Sequence, residues 1–268
     1  MYPILGEIGP FLFKSLWLCV ITGFVVANLL LIQIVLKTQL KLFFLRKNYF
    51  FFIISAIIFS RIAFILGSHD YYFNGGFFKS IWSMLSIWDQ GFSFWGAVTG
   101  ALAGFYYKSL KENENWLEWF DAISIPAIAG MFFGYIGAFF DGRNYGKPTD
   151  SFLGMYFENI EIPYASSIHP VQLYGAVLLL IFFIILTYLH FYKQFKAGVL
   201  FCITVCGYSI IRFTEEFFRG TDSTVTLGLR YQQWLSIIIF LISFIFLLNL
   251  YNLFESIKVK LKLKKFKK

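Results

Sequence analysis

The run VLLLIFFIILTYL, residues 177–189, holds thirteen consecutive positions without a charged side chain. Extended to 170–190, it reaches the roughly 20 apolar residues that an α-helix needs to cross the hydrocarbon of a bilayer. Similar runs predict further spans near 11–36, 49–68, 92–107, 120–140, 197–218 and 232–251. The composition agrees. Of 268 residues, 58% are hydrophobic and 14% charged, whereas a soluble domain carries about 25% charged residues. One water-soluble core does not hide that much apolar surface; lipid does. The expected fold is therefore an all-α integral membrane protein, a bundle of seven transmembrane helices over residues 1–257 followed by a basic tail, 258–268.

The formal charge of +8 belongs to that tail. Lys258, Lys260, Lys262, Lys264, Lys265, Lys267 and Lys268 fall within its eleven residues, and the rest of the chain is close to neutral. This distribution argues against a nucleic-acid-binding surface. A polybasic stretch after a membrane helix either lies on anionic headgroups, at roughly 1 kcal/mol per basic residue, or stays solvated and only fixes orientation.

Orientation follows from where the other cations stand. With the N-terminus outside, the inner segments contain Lys37, Lys41, Arg46, Lys47, Lys108, Lys111, Lys193, Lys196 and the tail. The outer segments contain only Lys79, Arg143, Lys147, Arg219 and Arg230. The positive-inside bias then puts the C-terminus in the cytoplasm. The first apolar run is preceded by Glu7 and followed by its positive charges, so it reads as an anchor and not as a cleaved signal. Gly96, Gly100 and Gly104, and again Gly130 and Gly134, recur every four residues and predict close helix packing. Trp82, Trp88, Trp116, Trp119 and Trp234 stand near span ends, where an aromatic belt is expected. Cys19, Cys202 and Cys206 lie in apolar runs and read as small core residues. No metal-ligand cluster and no cofactor motif is predicted.

Polar residues gather on the predicted outer side. The loop from Asp141 to Asp150 carries Arg143, Asn144, Tyr145, Gly146 and Lys147. Span five opens with His169-Pro170-Val171-Gln172-Leu173-Tyr174, with Pro170 suited to a first helical turn. Span six closes with Arg212-Phe213-Thr214-Glu215-Glu216-Phe217-Phe218-Arg219. Arg212 and Glu216, four apart, share a helix face, and an ion pair at membrane depth is a functional candidate by default. Arg61 pairs elsewhere or extends toward the interface. Guanidinium groups match phosphate oxygens, and a histidine near a carboxylate suits proton removal from a nucleophile. These residues together predict an outward site for a phospholipid headgroup.

The order of motifs resembles the bacterial prolipoprotein diacylglyceryl transferase family along almost the whole chain. The likeness runs through Tyr2-Pro3-Ile4-Leu5, Ile8-Gly9-Pro10, Gly91-Phe92-Ser93-Phe94 and Gly96. It continues with Gly134, Ile136, Gly137 and the Gly142 to Asp150 loop. His169-Pro170-Val171-Gln172-Leu173-Tyr174 is the sharpest match, and Arg212 to Arg219 and Gln233-Trp234-Leu235-Ser236 close it. The resemblance implies transfer of the diacylglyceryl group of phosphatidylglycerol to the lipobox cysteine thiol of a prolipoprotein, in the bacterial inner membrane, with glycerol phosphate leaving. It implies that Arg212 holds phosphate charge, Glu216 orients it, and His169 is the base. Arg143, Tyr145, Gly146, Lys147, Gln172, Tyr174, Arg219 and Gln233 are implied to line the substrate site.

The chain departs from that family's pattern at several polar positions. Leu16 replaces a tyrosine, Trp95 a histidine, Tyr135 an arginine, Ala138 an asparagine, Arg143 a glutamate and Gly175 a glutamate; Gln232 stands where a glycine precedes Gln233. Arg143 is read as a cation that substitutes for the one missing at 135. Two rivals follow. One is a non-catalytic or repurposed paralogue that binds phospholipid or a lipoprotein precursor. The other is a transporter or channel, against which spans one, two and seven carry few polar residues.

Overall fold

The computed structural model describes residues 4–8, 11–68, 72, 82–84, 86, 91–157, 162–164 and 166–251. The lysine tail, Tyr2-Pro3, Gly9-Pro10, Lys79 and Trp88 lie outside these residues. Among those described there are seven helices of 17 to 26 residues: α1 (Ser15–Lys37), α2 (Leu42–Gly67), α3 (Phe94–Lys111), α4 (Trp116–Asp141), α5 (Val171–Tyr192), α6 (Val199–Glu215) and α7 (Tyr231–Leu250). Five of them, α1, α2, α4, α5 and α7, are long and apolar enough to cross a bilayer. The glycine-rich α3 and the 17-residue α6 fall short of that in length or apolarity. The chain thus has a predominantly helical build with five candidate membrane spans, as an integral membrane protein has.

The first predicted span starts too early. Phe11–Lys14 is a strand, β2, paired antiparallel with β1 (Ile4–Ile8), so that Ile8 faces Phe11 and Glu7 faces Leu12. Gly9-Pro10 in the sequence is a strong turn signal, and it leaves the apolar run to begin as a hairpin arm before the helix starts at Ser15. A second small hairpin, β3 (Val225–Thr226) with β4 (Leu229–Arg230), leads into α7. Leu227 and Gly228, at φ 53° and 78°, supply the paired left-handed residues of its turn.

The described chain divides into two compact units, Val35–Phe120 and the remainder. In the Val35–Phe120 unit, α2 and α3 pack along the glycine stripe. A Cβ on Gly96 would stand 2.5 Å from the carbonyl of Phe59, and one on Gly100 2.5 Å from the Phe59 Cβ. Ser55 Oγ donates to the Gly100 carbonyl at 2.7 Å, a bond that this close approach permits. Arg61 is buried and donates to the carbonyls of Ser83, Met84, Ser86 and Gly91. Trp119, read from sequence as a belt residue, is fully buried against Phe44 and Phe105.

In the other unit, α6 packs on α5 and on α7. Asp121 of α4 caps α6, its two carboxylate oxygens each accepting a backbone N–H, from Gly198 and from Phe201, at 2.7 Å; donors at a helix start have no intrahelical partner and need one. Gly23 of α1 lies against Gly130 of α4, and Gly137 of α4 against Leu16 and Cys19. The stripe reading holds for Gly130 but not for Gly134, whose missing side chain would meet nothing within 4 Å.

Candidate functional site

Three chain segments meet where α4 ends, α5 begins and α6 ends. The α4 helix stops at Asp141, and Gly142 and Asn144 at φ 75° and 61° turn the chain back. The loop then runs beside the end of α6: Lys147 N donates to the Phe218 carbonyl at 2.9 Å, and Gly220 N to the Tyr145 carbonyl at 2.9 Å. On its other side His169 N donates to the Lys147 carbonyl at 3.0 Å. Gly146 lies in the middle of this lacing, where a Cβ would stand 2.3 Å from the His169 carbonyl. The 141–150 loop, the His169 segment and the end of α6 are therefore neighbours, as expected.

The ionic centre is richer than the predicted Arg212–Glu216 pair. Arg212 Nη2 is 3.5 Å from Glu216 Oε2, but its shorter contact is Nη1 to Glu215 Oε2 at 2.8 Å. Glu216, at 1% side-chain exposure, holds two more cations: Arg219 Nη1 at 3.3 Å and Arg230 Nε at 3.0 Å. The helix ends at Glu215, three residues before the predicted limit, and the turn beyond it swings Arg219 back toward Glu216. Arg219 also donates to Asn144 Oδ1, which ties the loop to the cluster. Arg230 donates to the carbonyls of Arg219 and Thr221. Burial pushes the Arg219 pKa down, the neighbouring Arg212 acts in the same direction, and Glu216 opposes both. Three guanidinium groups against two carboxylates leave one surplus positive charge, largely withdrawn from water.

The other predicted residues take varied places. His169 Nδ1 is 3.1 Å from Tyr174 Oη, and both rings stand edge-on to Phe218. Gln172 is buried and donates to the Arg143 carbonyl at 2.6 Å, fixing the loop to the first turn of α5. The Arg143 side chain, 57% exposed, pairs with Asp141 at 2.5 Å. Lys147 contributes its backbone while its side chain is exposed. Gln233 accepts from Arg230 N at 3.0 Å and so sets the start of α7 and the backbone of Arg230. Tyr145 places its ring against Tyr164, and burial pushes its hydroxyl pKa up.

Sequence reasoning missed Glu215, Arg230 and the part played by Tyr135. Glu215 lies three residues after Arg212, a spacing as favourable as four. Arg230 is brought in by the β3–β4 hairpin, which no local spacing reveals. Tyr135, read as a lost cation, donates to Glu215 Oε2 at 2.7 Å and accepts from Arg212 Nη1 at 3.3 Å. Of the other departures, Leu16 packs on Gly137, and the Ala138 carbonyl accepts from Arg143 N. Trp95 stands in the Val35–Phe120 unit, edge-on to Phe94.

The chain is similar to known proteins along much of its length. The phosphatidylglycerol–prolipoprotein diacylglyceryl transferase of Erythrobacter litoralis is 34% identical over 162 residues, 58% of this chain and 57% of that relative. The enzyme of the same name from Ehrlichia canis is 34% identical over 210 residues, 73% of this chain and 75% of its own length. That of Idiomarina loihiensis is 31% identical over 192 residues, 69% and 68% of the two chains. The family model described as prolipoprotein diacylglyceryl transferase matches residues 3–249, which takes in the α5 opening, the Arg212 cluster and Gln233 alike. The chain belongs to the prolipoprotein diacylglyceryl transferase family.

Proposed function

We propose that this protein transfers the diacylglyceryl group of phosphatidylglycerol to the thiol of a prolipoprotein lipobox cysteine. The cysteine sulfur attacks the glycerol carbon that carries the phosphate ester. A carbon–sulfur bond forms, the carbon–oxygen bond to phosphate breaks, and glycerol phosphate leaves with the electron pair. The observation that carries this reading is the Arg212–Arg219–Arg230 cluster around Glu215 and Glu216. Its single surplus positive charge suits a phosphodiester monoanion, and its low exposure strengthens attraction that water would screen. His169, whose Nδ1 lies 3.1 Å from the Tyr174 hydroxyl, is the base for the thiol. Arg143, Tyr145, Gly146, Lys147, Gln172, Tyr174 and Gln233 shape the surrounding substrate site.

The setting proposed is a bacterial inner membrane crossed seven times, with the N-terminus outside, residues 1–257 as one transferase-like domain and 258–268 as a cytoplasmic tail. The short helices α3 and α6 then cross with the support of their neighbours. The site opens toward the outer leaflet, where phosphatidylglycerol and a secreted precursor both arrive.

Complementation tests the reading. A bacterial host depleted of its own transferase and expressing this chain should yield the diacylglyceryl adduct on a lipobox cysteine by mass spectrometry. Arg212→Ala and His169→Ala should abolish it. The apolar or small residues at Leu16, Trp95, Ala138 and Gly175 favour a second reading, a paralogue that binds phosphatidylglycerol or the precursor without transfer. Good membrane expression with no adduct, but with retained phosphatidylglycerol on the purified protein, would select that second reading.

A further inference from the structure

Gly175 is the point where α4, α5 and α6 leave no room for a side chain. A Cβ there would stand 2.1 Å from Glu215 Oε1 and 2.1 Å from Tyr135 Cε1. Two of these residues, Tyr135 and Gly175, stand where the family resemblance has an arginine and a glutamate. The geometry links the changes. A glutamate at 175 and the Tyr135–Glu215 pair claim the same volume, so one arrangement excludes the other. In the pair that fills the volume, Glu215 Oε2 accepts from Tyr135 at 2.7 Å and from Arg212 at 2.8 Å. Its carboxylate enters from α6 into space that a side chain on α5 would otherwise occupy.

The two acidic neighbours of Arg212 are not equivalent. Glu216 is divided among three arginines and meets Arg212 at 3.5 Å. Glu215 pairs with Arg212 alone among them, at a distance within the 2.7–2.9 Å expected of a charge-assisted bond. The orientation of the Arg212 guanidinium is therefore set by Glu215 and the Tyr135 hydroxyl. We propose that Glu215, held by Tyr135 and given room by Gly175, is the positioning residue that aims Arg212 at the lipid phosphate in this chain. It acts in place of a carboxylate on α5. This rests on the reading above that Arg212 binds the phosphate.

The full-length protein in phosphatidylcholine nanodiscs, titrated with dioctanoyl-phosphatidylglycerol, provides the test. Glu215→Gln should weaken the apparent Kd by roughly tenfold, the effect of losing one hydrogen bond to a charged group. Tyr135→Phe should weaken it several-fold, and the double variant no further than Glu215→Gln alone, because both act through one contact. Thermal melts run alongside separate positioning from bulk stability. A lowered melting temperature with unchanged affinity, and unchanged preference for phosphatidylglycerol over phosphatidylcholine, would make Glu215 structural only and overturn the inference. Tyr135→Phe keeps the ring and removes one oxygen, so it decides the matter if Glu215→Gln does not fold. Wild-type protein without affinity for phosphatidylglycerol would overturn the proposed function, and this inference with it.

Discussion

Replacing Glu216 by Gln removes one negative charge from a site where three guanidinium groups converge on it. The contacts are 3.5 Å to Arg212, 3.3 Å to Arg219 and 3.0 Å to Arg230. At an effective dielectric of about 20, each is worth roughly 5 kcal/mol before desolvation is subtracted. Withdrawing a carboxylate from water costs several kcal/mol, and the arginines, at 11% to 16% side-chain exposure, bear a smaller cost of the same kind. Gln keeps the shape, yet the arginines then repel each other with only Glu215 to offset them. Breaking a buried ionic group in this way costs about 3–5 kcal/mol. For a chain of this size that corresponds to a fall of roughly 10 °C in melting temperature. The assay is thermal unfolding of the full-length protein in one detergent, followed by tryptophan fluorescence. Adding Arg230→Met to Glu216→Gln should recover part of the loss, since it removes one of the uncompensated charges. A fall below about 3 °C for Glu216→Gln, or a double variant less stable than the single, would refute the view that Glu216 balances a confined positive cluster.

Three further predictions address the scaffold. Gly100→Leu should destabilise by about 1–3 kcal/mol, as overpacking does, because the first carbon added already stands 2.5 Å from Phe59. Gly134→Ala should be neutral or stabilising by up to about 1 kcal/mol, since that position faces open space; parallel melts of the two variants check both. Glu112 accepts from the Asn48 side chain at 3.0 Å and pairs with Lys47, and the Asn48 hydrogen bond holds its pKa below the ordinary value of 4.5. Its folded-state pKa is depressed, so its contribution is present above that ordinary value and is lost as pH falls through the depressed one. Asn48→Ala should therefore lower the melting temperature at pH 7 and narrow its gap from wild type under strongly acidic conditions, and an equal gap at both would contradict this.

Much of the fold was legible because bilayer thickness imposes a length on each apolar run. The seven helices fall where those runs fall, within four residues at each end except the start of α2, which comes seven residues earlier than the run beginning at 49. The start of α1 was not legible, since Phe11–Lys14 has the composition of a membrane helix and becomes a strand only by pairing with Ile4–Ile8. The candidate site was half legible. The Arg212–Glu216 spacing and the His169 motif are local and show in the letters. Arg230 arrives through a hairpin, and Gln233 and Gln172 serve as backbone fasteners, which residue type alone does not disclose. Tyr135 and Gly175 looked like two separate losses when each position was taken by itself. Only the shared volume between α4, α5 and α6 relates them to each other and to Glu215.

The lacing of the 145–147 loop to Phe218 and Gly220 bears on biogenesis. These bonds join residues about seventy positions apart, and Arg230 lies further on still. At about 5–20 residues per second, a ribosome needs roughly 4–14 s to make the intervening chain. During that interval the turn at Gly142–Lys147 waits without Phe218 and Gly220, and Glu216 has not been synthesised. A nascent chain halted before residue 212 would hold its early helices and lack the charged knot entirely. The working end of the molecule is thus among the last parts to close, and the hairpin that delivers Arg230 completes it.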